Sequence, residues 1–454
     1  MGVIDELRRE LPHSDVITDP DLLESYRRDE TALVAAGTPS VVVLAAETAH
    51  VQHVLRVASA AKIPVVTQGA RSGLAGGANA IDDCIVLSLL RMDRIIEVNP
   101  IDRLAVVEPG VTNAALSRAV AEHGLRYPPD PASWEFCTIG GNIATNAGGL
   151  CCVKYGVTAE YVLGLDVVLA SGELLRTGRR TVKGVAGYDL TRLIVGSEGT
   201  LGVITQATVA LRPTAPPPLT LAAVFGSTAA AGAAVTGIIS AGAVPALLEI
   251  IDRVHLRAIE AYRPMGLDTE AAALLLAQCD TGERAPADLA AIAAICTSSG
   301  ATDVVEASDA AESAMLLEAR RAAYPAMERL GAIIVDDVAV PRSRLADLLD
   351  GIEQIGLDCD VTIGVIGHAG DGNMHPNIVV PHGDAAALER GRLAFEAIME
   401  LGLRLGGTVT GEHGVGVLKR DWLQAELGPV GVRVSRAVRA AFDPNHILNP
   451  DKVI

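Results

Sequence analysis

Short apolar, β-branched runs alternate along this chain with Ala-rich stretches of helical spacing, a pattern that predicts interleaved strands and helices. The polar segment 11–30 reads as helical. A β-branched run at 40–46 leads into an Ala-rich helix ending at Ala61, and 63–67 predicts a buried strand. Further strands are predicted at 84–89, 95–99 and 104–108, a helix at 113–123, and strands at 162–170 and 201–211. Segment 130–155 is rich in glycine, lacks helical period and reads as loop. The run Leu211-Arg212-Pro213-Thr214-Ala215-Pro216-Pro217-Pro218 interrupts both helix and sheet and marks a domain boundary.

Beyond that boundary, strands at 219–225, 246–251, 272–279 and 302–307 alternate with helices at 228–241, 286–297 and 310–329. The economical reading is a small sheet covered by helices on one face. Strands at 362–367 and 374–380 flank a glycine-rich tip and predict a hairpin. An amphipathic helix follows near the end, and no internal repeat is visible.

Composition narrows the class. A chain of 454 residues exceeds a single core, so two or three domains are expected. With half the residues apolar and only 3% aromatic, the core must be built from Ala, Val, Leu and Ile. A net charge of −18 argues against nucleic acid, whose phosphates would be repelled. The uncharged stretch 213–248 is broken by Pro, Gly, Ser and Thr, so it reads as strand, helix and strand rather than a membrane span. Seven cysteines without disulfide or zinc-knuckle spacing predict reduced thiols in the cytosol. The charged start lacks the apolar run of a signal peptide. A soluble, cytoplasmic protein is expected, with peripheral attachment to a membrane left open.

Three loops are dense in glycine and hydrogen-bonding side chains. The first, Gly69-Ala70-Arg71-Ser72-Gly73-Leu74-Ala75-Gly76-Gly77, follows a predicted strand, but no helical pattern opens behind it. A dinucleotide fingerprint needs that helix, so the Rossmann reading is poor. Successive backbone N–H groups can still cradle phosphates. The second loop spans 138–149 and the third 196–205. Three such loops suit a large cofactor lying along backbone; three unrelated turns are the plain alternative.

Two histidine clusters carry the candidate chemistry. One is Gly367-His368-Ala369-Gly370-Asp371-Gly372-Asn373-Met374-His375, and the other is Gly411-Glu412-His413-Gly414-Val415-Gly416. The glycines between His368 and His375 exclude a helix, and a hairpin tip brings both rings together. Two histidines and a carboxylate make a first shell for a divalent cation with positions open to substrate. His413 is then available as a base. Polar turn residues that satisfy backbone groups are the bland reading of the same pattern.

The order of the loops, with Val185-Ala186-Gly187-Tyr188-Asp189-Leu190 and Asn445-His446-Ile447-Leu448-Asn449-Pro450, resembles the FAD-linked 2-hydroxy-acid dehydrogenases. That family includes the flavin-binding chain of glycolate oxidase, D-lactate dehydrogenase and D-2-hydroxyglutarate dehydrogenase. The resemblance covers about residues 20–454. It implies an α+β, vanillyl-alcohol-oxidase-type fold. Two α/β subdomains over 1–213 would hold FAD, a cap over 214–420 would carry an antiparallel sheet and a metal site, and 421–454 would return to the FAD domain. It implies FAD contacts from Gly69, Ala70, Arg71, Ser72, Gly73, Gly77, Pro131, Ser133, Thr138, Gly141, Asn142, Asn146, Glu198, Gly199, Ile204 and Asn449. The first loop holds no histidine that could attach flavin, so FAD is expected to bind noncovalently.

The resemblance further implies zinc or manganese on His368, His375 and Glu412, with His413 as base and Arg320 as anchor for the substrate carboxylate. Tyr324 would share a helix face with Arg320. The expected reaction oxidises a D-2-hydroxy acid to the 2-oxo acid by hydride transfer to flavin. Electrons would pass to a quinone, cytochrome or flavoprotein, since the chain holds no iron–sulfur cysteine cluster. Members acting on dicarboxylic hydroxy acids carry a lysine about where Val335 stands, which tilts the choice toward D-lactate, glycolate or a longer apolar hydroxy acid, with D-2-hydroxyglutarate dehydrogenase kept as an alternative. An FAD-carrying member of a multi-chain glycolate oxidase is the other alternative within the family. A metal-dependent hydrolase is the alternative outside it. A homodimer or a dependence on partner chains is left open.

Overall fold

Runs of Val, Ile and Leu build two sheets in the first part of the chain. The structure, a computed structural model, describes residues 2–31 and 33–454. Its contacts divide the chain into two units. One comprises Met1–Gly149, Val157–Thr214 and Glu412–Ile454; the other comprises Leu150–Gly156 and Ala215–Gly411. The chain rejoins the first unit at Glu412, upstream of the boundary at 420 drawn from sequence.

In the first unit, the parallel strands Val41–Leu44, Ile85–Ser88 and Val65–Gln68 form one sheet, with the short Val16–Ile17 antiparallel at its edge. Val41, Val43, Val65, Ile85 and Leu87 sit in its core beside helix Thr48–Ala61. The second sheet is antiparallel, in the order Ile95–Asn99, Leu104–Val107, Val203–Ala210, Val162–Val168, Leu174–Gly178. The C-terminal segment closes this unit. Leu448 makes a parallel bridge with Val65, and Val65 N–H donates to Ile447 O at 2.7 Å. Buried Arg439 ties the same segment down by donating to the carbonyls of Leu448, Asn449, Lys452 and Ile454.

Two expectations fail here. The segment 11–30 is divided by prolines at 12 and 20 into a short 3-10 helix His13–Asp15, the strand Val16–Ile17 and the α-helix Pro20–Glu24, capped by Asp19. The stretch 130–155 is not all loop, since Ile139–Thr145 and Cys152–Tyr155 are helical. Thr138 caps the former by accepting from Gly141 N–H at 3.2 Å. Ile139 and Ile143, one turn apart, are wholly buried, each contributing about 1.5–3 kcal/mol. Gly140 is required by packing: a Cβ there would stand 2.5 Å from Pro109 Cβ.

The second unit is built on an eight-stranded sheet whose pairings are all antiparallel. The order is Ala301–Glu306, Leu219–Phe225, Ala273–Cys279, Leu247–Asp252, Thr362–His368, Asn373–Val380, Ala332–Val335, with Val338–Ala339 also on Asn373–Val380. The sheet is large, and helices cover both faces, which corrects the small one-sided sheet expected. Arg253–Tyr262 and Ala310–Glu328 pack over Leu247, Ile251, Leu274 and Ile366. Ala385–Arg404 lies on the other face, where Gly391 meets Ile334, Ile378 and Val380. Every residue of Ala273–Cys279 is accordingly buried.

The predicted hairpin is present as Thr362–His368 and Asn373–Val380. Its turn needs Gly372, at φ 84°, where a Cβ would meet Val340 O at 2.3 Å. Among the described residues no helix is long and apolar enough to cross a membrane. Cys84, Cys137, Cys279 and Cys296 are buried free thiols.

Candidate functional site

Glycine and threonine shape a cleft in the first unit with about 1410 Å³ of empty space, its open mouth included. Gly69, Ala70, Arg71, Ser72, Gly73 and Gly77 line it from the first loop, and Pro131, Ser133, Thr138, Gly141 and Asn142 from the second. Glu198, Gly199 and Ile204 line it from the third. Backbone approaches so closely that a Cβ on Gly69 would fall 2.3 Å from Thr138 Oγ1. Arg71, at φ 60°, lays its guanidinium 5.0 Å from the centre of the Tyr26 ring. Thr67 Oγ1 and one terminal nitrogen of Arg71 are buried without a hydrogen-bond partner, although both residues line the cleft. Such groups can be satisfied by a polar ligand or by water. Glycine-walled backbone, a cation and orphaned polar atoms together fit the diphosphate and ring edges of FAD.

Two further predicted contacts, Asn146 and Asn449, bond to backbone through their side chains. Asn146 ends the helix Ile139–Thr145 in the left-handed region, and its Oδ1 accepts from Ala159 N–H at 2.8 Å. Asn449 donates its amide to Gly77 O at 3.0 Å and Glu198 O at 2.7 Å, tying the first loop to the third. Glu198 has a task beyond lining: its carboxylate accepts from Val415 N–H at 2.7 Å and Gly416 N–H at 2.9 Å. Burial pushes its pKa above the usual range, against those two bonds and the charge of Lys452. Lys452, missed in the sequence, donates to the carbonyls of Gly77 and Asn79, and burial lowers it to about 8. Asp29, another lining residue missed, is raised by burial to about 6.

Glu198 thereby fixes the second histidine cluster. Gly416 fits against the first loop, where a Cβ would meet Ala75 O at 2.0 Å, and Val417 N–H donates to that carbonyl. Glu412 and His413 both line the cleft, half-buried, with His413 Nε2 3.4 Å from Glu412 Oε1.

The second unit carries the other cluster on one sheet face. Strand alternation puts Glu249, His368 and His375 on the side covered by Ala310–Glu328. The His368 and His375 ring centres are 5.0 Å apart, nearly perpendicular. Glu249 stands directly across from His368 in the strand register. Its carboxylate meets His368 Nδ1 at 2.5 Å and accepts from Arg320 Nε at 2.7 Å. Burial opposes its ionisation, but His368 and Arg320 outweigh it and hold Glu249 below the usual range. Asp337, also fully buried, lies 3.7 Å from His375 Nδ1 and accepts from Thr410 and Gly411 N–H.

Arg320 is 18% exposed, whereas Arg321 is 63% exposed and pairs with Glu318 on its own helix. Tyr324 is exposed, and Val335 pairs with Asn377 at the sheet edge. The sequence reading missed Glu249 and Asp337. The signal for Glu249 was a carboxylate flanked on both sides by apolar residues within the strand Leu247–Asp252.

Two family models match the chain. One, described as FAD linked oxidases, C-terminal domain, covers residues 218–453, and one described as FAD binding domain covers residues 39–178. The chain is 43% identical to glycolate oxidase subunit GlcD of Bacillus subtilis over 417 residues, 91% of this chain and 89% of that protein. It is 36% identical to D-lactate dehydrogenase of Archaeoglobus fulgidus, covering 95% of this chain and 96% of the relative. Among solved structures it resembles p-cresol methylhydroxylase with substrate bound at a TM-score of 0.83 and 18% identity, over 99% and 96% of the two chains. At that identity the likeness speaks for the fold alone.

Proposed function

From the premise that this chain belongs to the FAD-linked oxidases, oxidoreductases on a vanillyl-alcohol-oxidase-type fold, we propose that it oxidises a D-2-hydroxy acid to the 2-oxo acid. The substrate class is D-lactate, glycolate or a close analogue, and a divalent cation, zinc or manganese, assists. What carries this reading is the buried array Arg320–Glu249–His368 with His375 beside it, which sets a carboxylate anchor next to two metal-type ligands on one sheet face.

FAD, bound noncovalently in the glycine cleft, supplies the two-electron acceptor. A divalent cation supplies positive charge that favours loss of the hydroxyl proton. The remaining work falls to side chains. His368, His375 and Glu412 hold the cation; Glu412 directly follows Gly411, whose N–H binds Asp337. Arg320 binds the substrate carboxylate, and with it the orientation of the α-carbon. His413, lining the flavin cleft, takes the hydroxyl proton on its imidazole. Val335 in place of a lysine argues for a monocarboxylic acid. The Bacillus relative's name as a subunit favours a second reading, in which this chain carries the FAD of a multi-chain glycolate oxidase.

A panel of D- and L-hydroxy acids with an artificial acceptor tests the substrate class. His413→Ala should lower turnover by about 10²–10⁴-fold while flavin absorbance and bound metal stay unchanged. His368→Ala, His375→Ala and Glu412→Gln should each lose metal and keep FAD, and chelator followed by added zinc or manganese should mimic and reverse them. Active protein without a stoichiometric cation would sink the metal assignment and leave the flavin reading standing.

A further inference from the structure

We propose that Glu249 is a positioning residue which holds His368 and Arg320 on one carboxylate, setting metal affinity and substrate-carboxylate binding together. The inference rests on the metal reading above and goes beyond it, to a residue outside both histidine clusters.

Glu249 is fully buried, in the middle of an apolar strand. An unpaired carboxylate would be strongly destabilising there, so its two oxygens must be matched. Each oxygen has its own partner: Oε1 lies 2.5 Å from His368 Nδ1, and Oε2 lies 2.7 Å from Arg320 Nε. The first contact follows from register, since the two residues are direct cross-strand neighbours. A carboxylate on Nδ1 keeps the proton there and makes Nε2 the metal-binding nitrogen, with raised basicity. The second contact fixes the guanidinium at Nε and leaves its terminal amino groups to bind a carboxylate in a fork.

The companion histidine is held differently. Asp337 is 3.7 Å from His375 Nδ1, and one of its oxygens serves Thr410 and Gly411. Glu249 touches both a metal-type histidine and the anchor arginine.

The test uses the full-length, FAD-loaded protein, with zinc affinity read by competition against a chromogenic chelator. Glu249→Gln should weaken zinc binding about 10–100-fold and raise KM more than it lowers kcat, with flavin absorbance unchanged. Arg320→Ala should raise KM and leave zinc binding as it was, because Glu249 still holds His368. Zinc affinity in Glu249→Gln indistinguishable from the unmodified protein overturns the inference, and so does equal loss of zinc in Arg320→Ala. Should Glu249→Gln fail to retain FAD, Arg320→Ala and the charge-keeping Glu249→Asp decide, both being expected to hold zinc more tightly than Glu249→Ala. An unmodified protein that binds neither zinc nor manganese defeats the metal reading itself.

Discussion

The two units build their candidate sites from different materials. In the first, the cleft is walled by backbone: Gly69 lies against Thr138, Gly416 against Ala75, and glycine is required because no Cβ fits. In the second, the site is made of polar side chains raised from strands, Glu249, His368 and His375 among Val, Leu and Ile. A backbone site depends on shape and fails when atoms are added. A side-chain site depends on charge balance and fails when one partner is removed, because the other is left buried and unmatched.

The largest test of that contrast is Gly69→Val. The added atoms meet Thr138 Oγ1, so the purified protein should lose most of its flavin absorbance while zinc content stays close to normal. A variant with full FAD would show that the cleft wall yields. A smaller effect separates the two arginines of the cap. Arg320→Ala should weaken substrate binding by roughly 1.5–3 kcal/mol, read as a higher KM for every hydroxy acid tried, and Arg321→Ala should change it little. Equal effects would move the anchor to Arg321.

The smallest effect returns to the flavin unit, where a charge is buried without a close ion pair. Asp29 has a folded pKa of about 6 against an ordinary 3.8. Between those values the folded state holds more protons than the unfolded one, so stability falls as pH rises from about 4 to about 6. Asp29→Asn should remove that slope in denaturant titrations across this range. An identical pH dependence in both proteins would place the titration elsewhere.

Local pattern made much of the fold readable. The strands Ile95–Asn99 and Leu219–Phe225 fall on the residues predicted, because short β-branched or apolar runs bounded by turn residues admit few other readings. Two errors have different causes. Gly140 and Gly141 read as loop although tertiary packing puts them in a helix, and 11–30 read as helix although its prolines break it. In the first the deciding contact is distant in sequence; in the second a local breaker was under-weighted.

The cleft was legible because glycine leaves a visible trace. His368 and His375 were visible too, but spacing alone favoured a polar turn, and only the family resemblance pointed to a metal. Asn146 and Asn449 matched the family motif, and their amides bond to the backbone of Ala159, Gly77 and Glu198. Glu249 was invisible, since one carboxylate in an apolar strand shows its meaning only once register sets it beside His368.

The bridge between Leu448 and Val65 has a consequence for how the molecule is made. Residues 412–454 leave the ribosome after the whole of 215–411, so the first unit waits for nearly two hundred intervening residues before its sheet gains this last partner. Closing a loop of that length adds little entropy per extra residue, but it sets an order of events. The cap, continuous in sequence apart from Leu150–Gly156, can mature while the cofactor cleft is still missing Glu412 and His413. Nascent chains interrupted before the final segment would therefore carry a formed cap on an incomplete flavin unit. Such chains would expose Val65 and its neighbours to chaperones and proteases rather than enter the active pool.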